Sequence, residues 1–329
     1  MKQIFFAMFA CAIPTLASAH AKWLVPEYQN VIDTQHGAYQ FYTLTSTPVL
    51  LWILFSIATV FSARFLHHHL REPKAFMRLA NTHRVGIDRA AQCILGVFLV
   101  ATALFWNVVI LPAEVVTLPV LVALKYVQVA IGALFIFHFM PRSASIGLIA
   151  LTAVVTIAHG IEAVLENTIL FALAFYFYLM HTKTHGMWAV LKTYSIDIVR
   201  IGTGVSLIVL AFTEKLLYPE LSMQFLVLHH WNFMQLIFPW FSNELFVLST
   251  GMAEMLLGIV CIFGYMTRIT TLVIATFFAI SVTTMFWQAN VWEVEDFVVY
   301  CAAVLLLAFA HNNTTLPVLV KRMMGRGTF

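Results

Sequence analysis

Residues 258–268 read GIVCIFGYMTR and close a long uncharged run, and a similar stretch, GALFIFHFMPR, stands at residues 132–142. The two align without a gap at an offset of 126 and share Gly, Ile, Phe, Met and Arg at five of eleven positions. Each ends an apolar segment with a methionine and an arginine, in a chain with few charges. The pattern predicts two related helical units.

The flanks of these stretches extend the repeat. Ile87-Asp88 matches Ile196-Asp197, and Glu166 and His181 match Asp296 and His311 at an offset of 130. The repeat predicts four-helix units over residues 86–185 and 195–312, preceded by one helix and a basic loop in residues 46–85. Because each unit holds an even number of spans, the two repeats are predicted to be parallel rather than inverted.

Composition and apolar runs predict an all-α, polytopic transmembrane helical bundle of about nine spans. The chain of 329 residues is 61% hydrophobic and 10% charged, against about 25% charged in a soluble domain. The net charge is only +3 and no basic run is interleaved with aromatics, which argues against nucleic-acid binding. The runs are residues 47–63, 90–112, 118–140, 143–161, 167–182, 195–217, 245–267, 269–287 and 297–311.

The N-terminus is typical of a secretory signal peptide in residues 1–19, with Lys2, an apolar stretch and a small-residue cleavage site. The open alternative is an uncleaved signal anchor. Cleavage predicts His20 as the mature N-terminus and a periplasmic segment in residues 20–45. That orientation puts 14 of the 18 basic residues on the cytoplasmic side, with the tail 313–329. We therefore expect a multi-pass protein of the bacterial inner membrane.

One family resemblance rests on the second unit. Its first helix ends in Thr-Glu-Lys-Leu-Leu-Tyr-Pro at residues 213–219, a half-length apolar segment follows, and residues 257–268 close its second helix. This pattern resembles the DoxX-like family of four-helix membrane proteins. The first unit resembles a degenerate copy, with Asn107 and Val108 in place of Glu214 and Lys215. The resemblance implies association with quinol oxidase or thiosulfate:quinone oxidoreductase activities, and no defined reaction by itself.

Ionisable groups inside spans need a partner, because each costs about 2.5–3.5 kcal/mol at the bilayer centre on insertion scales. Under the repeat, Gln128 corresponds to Glu254, and Lys125 lies one helical turn from Gln128. These positions predict an intramembrane polar pair, Lys125 with Glu254, between the units. The pair has two interpretations: it fixes how the units dock, or it marks a proton or substrate site.

A periplasmic transition-metal site is the leading functional hypothesis, with copper favoured. The spacing of His159, Glu162 and Glu166 puts an imidazole and two carboxylates on one helical face, which suits such metals. A mature N-terminal His20 chelates through its amine and ring together. The full predicted ligand set is His20, His36, His159, Glu162, Glu166, His229 and His230. The implied function is binding or transport of the metal, with a periplasmic metal carrier as partner.

A different hypothesis is a membrane subunit of a quinone-linked oxidoreductase. Glu214, Lys215 and Tyr218 lie together at a helix end beside the apolar segment 221–228, and these residues are predicted to line a quinone head-group pocket. A redox partner protein is then required, because no heme, flavin or nucleotide motif is present in the sequence. A third alternative is a membrane scaffold or assembly factor whose partner is lipid and protein alone. No motif of a soluble-type catalytic centre is present, so an activity of the chain on its own is not predicted.

Overall fold

A computed structural model describes residues 42–69, 80–105, 107–110, 119–158, 160–183, 186–289, 296–310 and 315–319. Within these ranges the structure is all-helical and contains no β-strand, which confirms the all-α part of the predicted fold class. In chain order, α1 to α12 are Thr47–His69, Arg84–Phe105, Pro119–Ile136, Pro141–Ala158, Ile161–Glu166, Thr168–Met180, Met187–Thr193, Ser195–Ala211, Pro219–His229, Asn243–Phe263, Thr267–Ala289 and Asp296–Phe309.

In the part of the chain that the structure describes, five helices are long and apolar enough to cross a bilayer, for which about 20 residues suffice. They are Thr47–His69, Arg84–Phe105, Ser195–Leu217, Asn243–Phe263 and Thr267–Trp287. Four shorter apolar segments coincide with the remaining predicted runs: Leu121–Ile136, Pro141–Ile157, Thr168–Met180 and Asp296–Phe309. Each predicted apolar run therefore corresponds to a helix.

Two pairs of helices cross at contacting glycines. A methyl group added at Gly96 of α2 would lie 2.6 Å from the carbonyl oxygen of Gly132 in α3. One added at Gly204 of α8 would lie 2.7 Å from the carbonyl oxygen of Gly258 in α10. Small residues let helix backbones approach this closely, and such contacts stabilise helix pairs where lipid removes the hydrophobic driving force.

The turns after these crossings share an unusual backbone. His138 and Gly264 have φ values of 52° and 74°, and Met140 and Met266 both have φ of 47°. Left-handed backbone is uncommon for residues other than glycine. In both places the chain uses it twice, two residues apart, to enter the next helix.

The helices pack as two groups of four, and the groups contact each other through their first and last helices. The first group is α2, α3, α4 and α6, and the second is α8, α10, α11 and α12. In each group, consecutive helices pack side by side. The last helix of each group then packs on the first helix of the other, α6 on α8 and α12 on α2. The main apolar core, which includes Leu95, Phe135, Phe177 and Leu305, lies between the helices of the first group and α12.

A buried arginine holds one end of the second crossing. Arg200 of α8 is 1% exposed, and its guanidinium donates to the carbonyl oxygens of Cys261 and Ile262 at 2.8 and 2.6 Å. These carbonyls belong to the last turn of α10, where intrahelical donors are missing. Asp197 accepts from the same guanidinium at 3.2 Å. The guanidinium thus joins the start of α8 to the last turn of α10.

Helix α1 belongs to neither group and packs on α10. Trp52 donates to the Ser249 hydroxyl at 3.2 Å near one end, and the backbone N–H of Met266 donates to Nδ1 of His67 at 3.2 Å near the other. Most of its remaining side chains are exposed and apolar, such as Leu54 and Phe61. A bilayer accommodates such a surface without further protein cover.

Candidate functional site

A π-helical turn begins the candidate site. After Ala211, helix α8 continues as the π-helix Phe212–Leu217, and Pro219 then begins α9 at a position where its missing N–H costs nothing. The wider turn buries Thr213 and Glu214 and leaves Lys215 partly buried. Such π-turns are frequent at functional sites.

Lys215 lies between two carboxylates. Its Nζ is 2.8 Å from Oε2 of Glu254 in α10 and 3.8 Å from Oε2 of Glu214. Gly251 permits this approach, since a methyl group there would lie 2.9 Å from the Lys215 Cβ. The side chains of Glu214 and Glu254 are 5% and 7% exposed. One ammonium thus contacts two buried carboxylates, and groups of this kind need such partners inside a membrane-spanning helix.

The predicted pairing of Lys125 with Glu254 is wrong. Lys125 donates to Oδ1 of Asn107 at 2.8 Å, within the first group. Glu254 receives its hydrogen bond from Lys215 instead. The reason is the π-turn, which brings the end of α8 over α10, whereas α3 packs on α2 and α4.

A cavity of about 100 Å³ adjoins the Lys215 centre in the second group. Five elements line it: α8 with its π-turn, α9, α10, α11 and the start of α12. Carboxylates, one ammonium and three hydroxyls supply its polar lining, from Glu214, Lys215, Glu254, Asp296, Ser222, Thr250 and Ser281. Its other walls are aromatic or aliphatic, chiefly Phe225, Leu226, Trp231, Phe246, Phe277, Phe278 and Met285. A mostly apolar cavity with a few convergent polar groups is the usual form of a small-molecule site.

An aromatic cluster forms one wall. The Trp231 ring lies 5.7 Å from Phe225 and 5.5 Å from Phe246, both nearly perpendicular to it. Edge-to-face pairs at such distances are favourable. The indole N–H donates to the Thr284 hydroxyl at 3.1 Å and so connects the segment after α9 to α11.

Tyr218 lies away from the cavity lining, although the sequence groups it with Glu214 and Lys215. Partial burial raises the pKa of its phenol, and the carboxylates of Glu162 and Glu220 raise it further. Its hydroxyl is therefore protonated at neutral pH. Of the three predicted quinone-site residues, the structure brings Glu214 and Lys215 into the cavity and turns Tyr218 toward α5.

The predicted metal ligands divide between several places. Glu166 is buried and accepts from the Thr213 hydroxyl at 3.1 Å, whereas Glu162 of the same short helix neighbours Tyr218. His229 ends α9 against the Phe225 ring, and His230 is exposed with φ of 51°. His20, His36 and His159 lie outside the described residues. Among the described residues, no group of three or more His, Cys, Asp or Glu side chains has a metal-binding arrangement, so the metal site stays a prediction.

The corresponding place in the first group contains an amide. After Phe105 the helix stops, with Asn107 and Ile110 at φ of 58° and 30°. The fully buried Gln128 accepts from the Ile110 N–H at 2.9 Å and donates to the Leu99 carbonyl at 3.0 Å. It also donates to the Thr102 hydroxyl at 2.9 Å. Gln128 therefore connects the last turns of α2 to the irregular residues that follow them.

Sequence reasoning did not assign several residues of this site to it. In the sequence Asp296 stands out only as the match of Glu166, and no motif marks Trp231. Ser222 and Thr250 carry no signal, since isolated hydroxyls are common in apolar helices. Gln128 was matched to Glu254, but nothing in the sequence indicated a broken helix beside it.

Comparison with known proteins gives no match. No protein-family model matches the chain, and searches of curated proteins and of solved structures find nothing detectably similar. The function must therefore be argued from the site itself.

Proposed function

We propose that the cavity binds the head group of a quinone and that the chain is the membrane subunit of a quinone-linked oxidoreductase. The observation that carries this proposal is the Lys215–Glu254 contact of 2.8 Å within an aromatic-walled cavity. A quinone has two carbonyl oxygens that accept hydrogen bonds and a flat ring that packs on aromatic side chains. The DoxX-like sequence pattern of residues 213–219 and 257–268 agrees with this assignment.

The residues have distinct roles under this proposal. Lys215 donates to one carbonyl oxygen of the ring, and Glu254 and Glu214 exchange protons with the bound molecule. Quinone reduction consumes two electrons and two protons, and quinol oxidation releases them. Since the sequence has no flavin or heme motif, the electrons come from or go to a redox-active partner protein.

Binding of a short-chain quinone to purified protein in lipid nanodiscs tests the proposal. We expect Glu254→Gln to raise the Kd by about tenfold or more, because a charge-assisted contact is lost. Glu244→Gln is the matched control, since Glu244 is on the same helix and outside the cavity lining. Absence of saturable binding to the folded wild-type protein would overturn the proposal, as would equal Kd values for the two variants.

We also infer that the two helix groups are the predicted parallel repeats within about nine membrane spans. Support comes from the glycine crossings, Gly96 with Gly132 and Gly204 with Gly258, and from the shared turn geometry at Met140 and Met266. The reciprocal packing of α6 on α8 and α12 on α2 is what a twofold relation between parallel repeats requires. The charge distribution favours an inner membrane location with a periplasmic N-terminus after signal cleavage.

Metal handling remains a separate hypothesis that turns on residues 20, 36 and 159. Elemental analysis of purified, metal-loaded protein, with N-terminal sequencing, tests it. A bound copper equivalent that disappears in His20→Ala combined with His159→Ala would support the metal site. Metal-free wild-type protein would exclude it and leave the quinone and scaffold alternatives.

A further inference from the structure

The size of the cavity limits what part of a ligand it holds. An apolar cavity of about 150 Å³ binds one benzene molecule, so a volume of about 100 Å³ is on the scale of a single ring. Membrane quinones carry a long isoprenoid chain in addition to the ring. If the ring occupies the cavity, the chain must leave it between two of the lining elements.

Most sides of the cavity are closed by close packing. Helices α8 and α10 meet at the Gly204–Gly258 contact, which leaves no space between their backbones. Helix α12 packs on α11 and on α8, and α9 packs on the π-turn and on α10. Buried carboxylates, among them Glu166 and Glu220, lie on the side of α5 and Tyr218, and this polar side is unsuited to a hydrocarbon chain.

The side of the cavity between α9 and α11 is packed less closely than the others. The cavity walls there are Phe225 and Leu226 from α9, with Phe278 and Met285 from α11. Neither helix has the other as a main packing neighbour, and the Trp231–Thr284 hydrogen bond crosses between them. Beyond the lining, both helices expose large apolar side chains, including Val227, Leu228, Ile280 and Phe286.

We propose that the ligand is a long-tailed lipid quinone whose chain passes between α9 and α11 into the surrounding lipid, with Trp231 as the gate. This inference rests on the proposed quinone site and adds the ligand class and its route. The hydrogen bond to Thr284 holds the indole across the opening. Breaking this bond lets the ring pass from the bilayer to Lys215 and Glu254 without crossing water.

Photoaffinity labelling in nanodiscs tests the route with two quinone probes, one with an azide on the ring and one with an azide on the tail. We expect the ring probe to label the π-turn or α10, and the tail probe to label α9 and α11. Both labels should disappear with excess unlabelled decyl quinone. Competed ring labelling with tail labelling on α5 or α12 would overturn the route and leave the quinone site standing. Absence of any competed label would overturn both.

The gate has its own test in association kinetics. Thr284→Val removes the acceptor of the Trp231 N–H, and we expect the tailed quinone to associate at least threefold faster. Thr283→Val is the matched control, because that exposed threonine donates only to the Ala279 carbonyl, on the neighbouring face of α11. Equal association rates in the two variants would exclude Trp231 as a gate. A folded Thr284→Val protein with normal equilibrium binding and faster association would support it.

Discussion

The first and second helix groups place different chemistry at matching points of their second helices. In the first group, the Gln128 amide is fully buried and connects α2 to the residues after it through Leu99, Thr102 and Ile110. In the second, Glu254 pairs with Lys215 on an unbroken π-turn and faces a cavity. The glycine crossing beside each centre is nearly the same. The two glycine crossings are thus alike, whereas the centres beside them differ: the first is a neutral amide bonded to backbone and hydroxyl groups, and the second is a charged pair beside the cavity proposed to bind a ligand.

The largest effect on folding is expected at the two glycine crossings, which are alike in both groups. Gly132→Leu and Gly258→Leu each put a side chain into an opposing backbone carbonyl, which cannot move aside as a side chain does. We expect neither variant to give monodisperse protein in detergent. Gly86→Ala is the control, since nothing lies within 4 Å of its added methyl group. A stable, correctly folded variant at one crossing only would show that the two crossings are not equivalent.

The next largest effect on stability is expected at Gln128, the buried amide of the first group. Gln128→Leu leaves the Ile110 N–H and the Thr102 hydroxyl without this buried partner, and we expect a loss of about 3 kcal/mol in unfolding free energy. Quinone affinity should stay at the wild-type value, because Gln128 is outside the cavity lining. Thermal unfolding and nanodisc binding measure the two quantities. A large drop in affinity with unchanged stability would reverse the roles assigned to the two centres.

Removing the cation of the second centre should affect stability less. Lys215→Met leaves Glu254 and Glu214 without this ammonium, and we expect a cost of about 2 kcal/mol, given the partial exposure of the lysine side chain. The double variant Lys215→Met with Glu254→Gln should recover most of this stability while binding stays lost. A double variant as unstable as the sum of its parts would contradict a direct coupling of the pair.

The smallest effect is expected at Lys125, the lysine of the first group. Its contact with Asn107 joins an ammonium to a neutral amide near a helix break. Lys125→Met should change the unfolding free energy by less than about 1 kcal/mol and leave quinone affinity unchanged. The measurements are those used for Lys215→Met. A loss of affinity as large as that of Lys215→Met would place a second binding site in the first group.

The sequence predicts where the helices lie better than it predicts which side chains contact each other. Long apolar runs mark helices because lipid and core both require them, so each predicted run coincides with a helix. The Lys125–Glu254 error arose because the repeat alignment matched Glu254 to Gln128 and treated the nearest lysine as its partner. The actual partner depends on the π-turn at residues 212–217, and a change from i→i+4 to i→i+5 hydrogen bonds leaves no pattern in composition. The cavity depends on side chains from five elements, which no local spacing can reveal.

The docking of α1 has a consequence for biosynthesis. The His67–Met266 hydrogen bond joins residues 199 positions apart, and α10, on which α1 packs, is also made long after it. At about 5–20 residues per second, the ribosome needs roughly 10–40 s to make that length of chain. During this interval α1 lies in the bilayer without α10, its final packing neighbour. Its mostly apolar surface is stable in lipid during this time. Factors that bind newly inserted helices therefore have a long period in which to act on α1.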